Sequence, residues 1–105
     1  MDLTPEELSE AQKLKPTGKR FEKVQVKSGW LWLANPTRQQ YRRFSKDVQG
    51  DNSKAPEAFE QIVKDCLVKP TIDELDSWLD EWPGQLSGEA DVGNAIGRLA
   101  GATGK

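Results

Sequence analysis

The 105-residue sequence contains no histidine and a single cysteine, Cys66. Zinc and copper sites, and Ser-His or Cys-His nucleophiles, depend on these side chains, so all of them are nearly excluded. One cysteine cannot form an internal disulfide and suits a reducing compartment. Because Cys66 lies beside Ile62 on the apolar face of a predicted helix, we expect a buried and unreactive thiol.

Long apolar runs are also missing. The longest, residues 30–34, is far shorter than the roughly 20 residues that a membrane-spanning helix needs. The first residues are acidic and lack the apolar core of a signal peptide. We therefore expect one soluble cytoplasmic domain with a single modest core.

An excess of charge of one sign is missing as well, although the charge is unevenly distributed. The formal net charge is −2, with +3 in residues 1–69 and −5 in residues 70–105. An acidic chain is a poor bulk binder of nucleic acid. Opposite charges on the two parts of the chain allow the hypothesis of head-to-tail self-association.

The sequence does contain strong helix boundaries between residues 66 and 86. Pro70 lacks an N–H group and disfavours a helical Lys69, so one helix should end there. Thr71 and Glu74 have the spacing of a capping box, in which the hydroxyl binds the Glu74 N–H and the carboxylate binds the Thr71 N–H. Pro83-Gly84 ends the helix that this box begins.

The remaining elements follow from similar patterns, and together they predict a mainly α fold. We expect a helix over residues 4–15 that begins with a Thr4–Glu7 capping box, and strands at 21–27 and 30–33. A helix follows with Asn35 as its N-cap and Pro36 at its first position, and after a loop at 50–53 another begins near Pro56. The last helix has Ser87 as its N-cap and ends at Gly101. The fold class is a small helical domain of four to five helices with a short N-terminal β-hairpin. Residues 1–20 form an N-terminal helix and flexible linker, residues 21–101 the domain, and residues 102–105 a disordered tail.

The acidic residues of the predicted fourth helix are the first candidate for chemistry. Asp73, Asp76 and Asp80 share one face of it. A metal or acid/base site needs carboxylates that converge from several elements, so a solvated face is favoured. The glycines match no phosphate-binding fingerprint, and residues 17–19 do not form a P-loop. We therefore expect no catalytic, metal or cofactor site.

Basic residues on the predicted second helix are the candidate for nucleic-acid binding. They form a compact patch of Arg38, Arg42, Arg43 and Lys46. Gln39 and Gln40 lie beside them, and because glutamine can bind base edges, sequence-specific recognition stays open. The acidic total favours a solvated face or a protein contact instead.

The four tryptophans are the most informative residues for partners, because tryptophan is enriched at binding hot spots. Trp78 and Trp82 lie one helical turn apart, and we expect them in or beside the core. Trp30 and Trp32 share one face of the hairpin. For these two, a core and an interface are about equally favoured, since two strands alone cannot bury both rings. These residues indicate a binding protein.

Several short motifs resemble the tail assembly chaperones of long-tailed bacteriophages. In chain order they are WLANPTR at 32–38, VKPTIDEL at 68–75, WPG at 82–84 and GRLAG at 97–101. The resemblance covers residues 21–101, and the helix at 4–15 lies outside it. It implies a small, mostly helical protein of the host cytoplasm that binds the tape measure protein, keeps it soluble and recruits tail tube subunits.

The resemblance also implies absence from the mature virion and a longer form made by ribosomal frameshifting, with which Gly104-Lys105 is compatible. On this basis our hypothesis is capture of a client helix in a groove or by the hairpin. The predicted partner-binding residues are Trp30, Trp32, Arg38, Arg42, Trp78 and Trp82. Two alternatives stay open: a nucleic-acid-binding regulator that uses the helix Arg38–Lys46, and a virion structural protein such as a tail-completion or head–tail connector component.

Overall fold

The computed structural model describes residues 1–50, 55–86 and 91–101. Its elements are α1 (Pro5–Leu14), β1 (Phe21–Val26), β2 (Gly29–Ala34), α2 (Arg38–Gly50), α3 (Ala55–Cys66), β3 (Leu67–Lys69), α4 (Ile72–Glu81) and α5 (Val92–Ala100). The three strands form one antiparallel sheet in the order β1-β2-β3. The predicted small helical domain with a hairpin is therefore confirmed in outline.

The third strand is the main correction to the predicted fold. The sequence pattern predicts a helix as far as Lys69, but α3 ends at Cys66 and the next three residues pair with β2. Lys69 lies opposite Trp32, and Leu67 lies opposite Leu33. Periodicity cannot distinguish a strand of three residues from the last turn of a helix, so this element has no clear sequence pattern.

The two faces of the sheet pack against different parts of the chain, because side chains alternate along each strand. One face, which we call the core face, carries Val24, Val26, Leu31 and Leu33. The opposite face, which we call the α1 face, carries Phe21, Lys23, Trp30, Trp32 and Ala34. The main hydrophobic core covers the core face, and α1 packs on the α1 face with Ala11.

The core face contains the most deeply buried side chains of the molecule. Leu31 and Leu33 are fully buried, in one cluster with Ile62 of α3, Leu75 of α4 and Ile96 of α5. Three helices that are separate in sequence therefore contribute side chains to the same core as these two leucines. This packing fixes the positions of α3, α4 and α5 relative to the sheet.

A charged pair ties α5 to the edge of this face. Arg98 donates from Nε to Glu22 Oε2 (3.0 Å) and from Nη2 to Glu22 Oε1 (2.8 Å). Partial burial of the Glu22 carboxyl raises its pKa, but hydrogen bonds from Arg98 and from the Met1 ammonium group outweigh that effect and leave the pKa lowered. The carboxylate form is therefore the one that the fold stabilises.

Two threonines begin helices where the sequence predicts them. Thr4 forms a complete capping box with Glu7 at the start of α1. Thr71 caps α4 by accepting from the Glu74 N–H at 3.2 Å. The second half of that box is wrong, since the Glu74 carboxylate accepts from the Thr71 hydroxyl and not from the Thr71 N–H.

The cap of α2 is a further correction. The sequence predicts Asn35 as the N-cap, but Thr37 has this role: its hydroxyl accepts from the Gln40 N–H (3.1 Å), and the Gln40 side chain accepts from the Thr37 N–H (2.9 Å). Asn35 Oδ1 instead accepts from the N–H groups of Lys19 and Arg20, at 2.8 and 3.0 Å. Asn35 thus holds the segment before β1 against the end of β2.

The last helix ends as predicted. Gly101 adopts a φ of +75°, the left-handed conformation that glycine favours at a helix C-terminus. The loop predicted at 50–53 is wrong at Gly50, which is the last residue of α2. The rest of that loop, the predicted cap Ser87 and the tail 102–105 fall outside the described residues. None of the helices in the described ranges is long and apolar enough to cross a membrane.

Candidate partner-binding surface

Three of the tryptophans lie near the hairpin turn, with Trp78 on the side of the core face and Trp30 on the α1 face. A Cβ atom on Gly29 would lie 3.1 Å from the Trp78 ring, so Trp78 of α4 packs directly on the turn. Trp82 follows at the end of α4, and Lys27 Nζ of the turn lies 4.3 Å from its ring centre. Trp30 is the next residue after Gly29. We call Lys27, Trp30, Trp78 and Trp82 the tryptophan end of the molecule.

Exposure separates these rings into two kinds. Trp78 is half-buried against the main core, as expected. Trp82 is 44% exposed, so the expectation of a core position does not hold for it, and Trp30 is 38% exposed. Exposed tryptophan on a surface held by a buried neighbour is typical of a binding hot spot.

Gln85 stabilises the tryptophan end, although no sequence motif points to it. Its side chain is buried; Oε1 accepts from the Ser28 N–H (2.9 Å), and Nε2 donates to the Trp78 carbonyl (2.7 Å). One amide therefore links the hairpin turn to the last turn of α4. The hint in the sequence is a hydrogen-bonding side chain next to the apolar Leu86 in a predicted loop.

Trp32 has a different environment, although it shares the α1 face with Trp30. It is 8% exposed, in a small cluster with Ala11 of α1, Phe21 and Ala34. Lys69 Nζ lies 4.7 Å from its ring centre. While α1 is docked, Trp32 is a core residue and does not contact solvent to any large extent.

Arg38 and Arg42 lie near the C-terminal end of α5, away from the tryptophan end. They line a cleft of about 510 Å³ whose walls also include Pro36, Thr37, Tyr41, Ser45 and Ala100. Ala100 is the last residue of α5, whereas Asp91, just before α5, lines a cleft with Trp30. The structure therefore places the two arginines and Trp30 at opposite ends of a helix about 13 Å long.

The basic patch is only partly available to a ligand. Arg43 Nη2 lies 2.9 Å from Asp65 Oδ2 and joins α2 to α3. Arg38, Arg42 and Lys46 are exposed, and none of them has an ion pair with another described residue. Of the four cations in the predicted patch, three are thus exposed for a ligand, and Arg43 instead joins two helices.

The acidic residues and the cysteine have local structural roles. Asp76 forms an ion pair with Lys64, with 2.8 Å between Oδ1 and Nζ. The hydrogen bonds from Lys64 to Asp76 and to Glu60 raise the pKa of Lys64. Asp73 and Asp80 are exposed. Cys66 is buried as predicted, and burial raises the pKa of its thiol to about 12. In the described ranges, no three histidine, cysteine, aspartate or glutamate side chains are grouped so that they could hold a metal.

Comparison with known proteins identifies a family for most of the chain. A family model with the description "Domain of unknown function (DUF6848)" matches residues 22–105. No curated protein and no solved structure matches the chain. The matched segment begins inside β1, so it includes the tryptophan end and both faces of the sheet but not α1.

Proposed function

Because the chain belongs to the DUF6848 family, whose function is unknown, we propose its role from its own surface and from the resemblance of its motifs. We propose that it is a phage tail assembly chaperone, without catalytic activity, that acts in the host cytoplasm. It binds the tape measure protein, keeps it soluble, helps to recruit tail tube subunits and is absent from the mature virion. The observation that carries this proposal is the exposure of Trp30 and Trp82 at the tryptophan end.

These two rings suit the capture of apolar client segments. An indole buries a large apolar area at a low cost in side-chain entropy, and burial contributes about 25 cal/mol per Å². A lysine ammonium group lies near each ring, with Lys23 4.9 Å from the Trp30 centre and Lys27 4.3 Å from the Trp82 centre. An exposed ring with a lysine beside it favours amphipathic client helices that carry acidic residues.

The tryptophan end is also preorganised. Trp78 packs on the turn, and the two hydrogen bonds of Gln85 fix the turn against α4. A rigid apolar surface loses less conformational entropy when it binds than a mobile one does. This property supports a chaperone that must hold a client without folding around it.

The motifs that carry the resemblance lie at junctions between elements. WLANPTR runs from β2 into α2, and VKPTIDEL runs from β3 into α4. WPG follows α4, and GRLAG ends α5. The residues that carry the resemblance are therefore those that begin and end the elements of the domain.

Co-expression with the tape measure protein of the same phage tests the proposal. We expect the wild-type chain to keep the tape measure protein in the soluble fraction and a Trp30→Ser/Trp82→Ser double variant to lose this effect. Both rings are exposed, so the double variant should keep its helical circular dichroism. Ile72→Ser is the matched control, because Ile72 is 50% exposed at the opposite end of α4.

Equal solubility of the tape measure protein with the wild-type chain and with a folded double variant would remove the assignment of these tryptophans. Trp32 is left unchanged in this experiment because it is buried, and its replacement would test folding. Mass spectrometry of purified phage particles gives a second test. Stoichiometric presence of the chain there would indicate a virion structural protein.

The exposed basic face of α2 favours a second candidate, a nucleic-acid-binding regulator. Arg38, Arg42 and Lys46 are free of ion pairs with other described residues and could contact phosphate groups. A gel shift that weakens steeply with salt, and that Arg38→Gln/Arg42→Gln abolishes, would support this function over the chaperone.

A further inference from the structure

The helix α1 is held on the α1 face by few apolar contacts. Ala11 is its buried residue, whereas Leu8 and Leu14 are exposed. The segment from Lys15 to Arg20, with Pro16 and Gly18, connects it to β1. A helix of 10 residues is marginal in isolation, so α1 depends on this docking for its helical structure.

Polar contacts supply most of the specificity of this docking, and the same arrangement of side chains occurs at two positions. Lys23 Nζ lies 2.9 Å from Glu7 Oε1 and 4.9 Å from the centre of the Trp30 ring. Lys69 Nζ lies 2.6 Å from Glu10 Oε2 and 4.7 Å from the centre of the Trp32 ring. Each lysine is thus placed between a carboxylate of α1 and a tryptophan of the sheet.

The surface below α1 is apolar, with a cationic group at each of two positions. Phe21, Trp32, Ala34 and Val68 form the apolar part. Lys23 and Lys69 supply the cations, and exposed Trp30 lies on the same face. Such a surface is complementary to a helix with two carboxylates three residues apart and a small residue directly after the second.

We propose that the α1 face is a binding site for an acidic amphipathic helix of a partner protein, and that α1 occupies this site in cis. The sequence Glu7-Leu8-Ser9-Glu10-Ala11 shows the pattern that the partner helix carries. The family match supports this division, since residues 22–105 include both lysines and Trp32 but not α1. The inference concerns any such helix and goes beyond the tail-assembly role.

Exchange between α1 and a partner helix is physically reasonable. Ion pairs between partly exposed side chains are weak and are lost in salt. A short tether gives α1 an effective concentration on the order of millimolar at its own site, so a weak partner helix cannot compete. A longer acidic helix with the same pattern buries more of Trp30 as well, and it can therefore displace α1.

The experiment uses the full chain with Ala11→Arg, in which a large charged side chain at a fully buried position expels α1. The probe is a fluorescently labelled peptide of residues 1–16, and the measurement is its anisotropy. We expect the peptide to bind this variant about tenfold or more tightly than the wild-type chain, where α1 competes in cis. A peptide with Glu7→Lys and Glu10→Lys should not bind.

A charge exchange gives the matched control. The chain with Ala11→Arg, Lys23→Glu and Lys69→Glu should bind the peptide that carries Glu7→Lys and Glu10→Lys. It should not bind the peptide of wild-type sequence. Should the Ala11→Arg chain fail to fold, the chain with Lys23→Glu and Lys69→Glu alone replaces it, since repulsion from Glu7 and Glu10 expels α1 without changing the apolar surface.

A folded variant that binds neither peptide overturns the inference. The inference is also overturned if two wild-type chains exchange their α1 helices while the free peptide does not bind. The α1 face would then be a site for a second copy of this chain and not for a partner protein. Dimers of this kind are detected by light scattering and are lost with Ala11→Arg. Either result leaves the test of Trp30 and Trp82 with the tape measure protein unaffected.

Discussion

On the core face of the sheet, Leu31 and Leu33 are fully buried under helices from three parts of the chain, whereas on the α1 face a single short helix covers Trp32 and leaves Trp30 exposed. Both faces belong to the same strands. The difference lies in what covers them: side chains of α3, α4 and α5 join β1 and β2 in one hydrophobic core, but α1 buries a single small side chain, Ala11, and is otherwise held by ion pairs. The core face stabilises the fold, and the α1 face is suited to exchange.

Among the charged contacts, the Glu7–Lys23 pair of the α1 face is about as covered as the Glu22–Arg98 pair of the core face, and the Glu10–Lys69 pair is the one that differs. The Glu22–Arg98 pair has three hydrogen bonds, two of them from Arg98 Nε, and the Glu22 side chain is 12% exposed. The Glu10–Lys69 pair is short, but both of its side chains are about half-exposed. Solvent weakens an exposed ion pair, while removing one partner of a buried pair leaves an uncompensated charge. We therefore expect substitutions on the two faces to differ in how much they lower the free energy of unfolding.

The largest effect should come from the apolar part of the core face. Leu33→Ala removes a fully buried side chain and leaves a cavity between β2 and α3, so we expect a loss of about 2–5 kcal/mol in the free energy of unfolding. Urea denaturation measures it. The control is Leu8→Ala on α1, where an exposed side chain should change stability by less than about 0.5 kcal/mol. Equal losses would mean that the two faces do not differ.

The charged pair of the core face comes next. Glu22→Gln keeps the shape of the side chain but removes the charge that Arg98 binds, and we expect a loss of about 2 kcal/mol at pH 7. Asp47→Asn, an exposed site on α2, is the control and should be close to neutral. A neutral Glu22→Gln would show that this pair adds nothing to the docking of α5.

The same residue predicts a pH dependence. The folded-state pKa of Glu22 is lowered, so its stabilisation is complete above the pKa of the unfolded chain, about 4.3, and is lost as the pH falls through the folded-state pKa. Denaturation curves between about pH 5 and pH 3 should therefore show a steeper loss of stability for the wild type than for Glu22→Gln. Parallel curves would contradict the lowered pKa.

Gln85→Ala should have a smaller effect. It leaves the Ser28 N–H without its partner at a partly buried position, while the Trp78 carbonyl loses one hydrogen bond and keeps the one from the Trp82 N–H, so we expect a cost of about 1–2 kcal/mol. Gln39→Ala, an exposed amide on α2, is the control. We also expect faster amide hydrogen exchange at the hairpin turn, and unchanged exchange there would mean that Trp78 alone holds the turn.

The smallest effect on global stability belongs to the α1 face. Glu10→Gln removes a half-exposed ion pair and should cost about 0.2–1 kcal/mol, with little change in the urea midpoint. Local hydrogen exchange should still be faster across α1, because this pair is one of the few contacts that dock it. Slow exchange in α1 equal to that of α3 would contradict the weak docking.

The parts of the fold that the sequence predicts are those with a local cause. Thr4 with Glu7 determines the start of α1, and alternating apolar residues determine β1 and β2. By contrast, β3 depends on a pairing with Trp32 that lies more than thirty residues away in sequence. The choice between Asn35 and Thr37 as a cap depends on the segment that Asn35 binds instead.

The candidate site shows the same division. The importance of Trp30 and Trp82 follows from residue type alone, but their exposure and the burial of Trp32 depend on where α1 docks. Nothing in the local pattern tells Trp30 from Trp32, since both alternate with leucine on one strand. The role of Gln85 was missed because both of its partners are backbone groups of distant elements.

The position of β3 has a consequence for the order of folding. β1 and β2 form a hairpin from neighbouring residues, but Val68 and Lys69 reach the α1 face only after α2 and α3 have closed a long loop. Closing such a loop is slower than forming a hairpin. Although α1 leaves the ribosome before the sheet, the part of its docking surface that β3 supplies is among the last to form. We therefore expect each new chain to pass through a stage in which the α1 face lacks Val68 and Lys69.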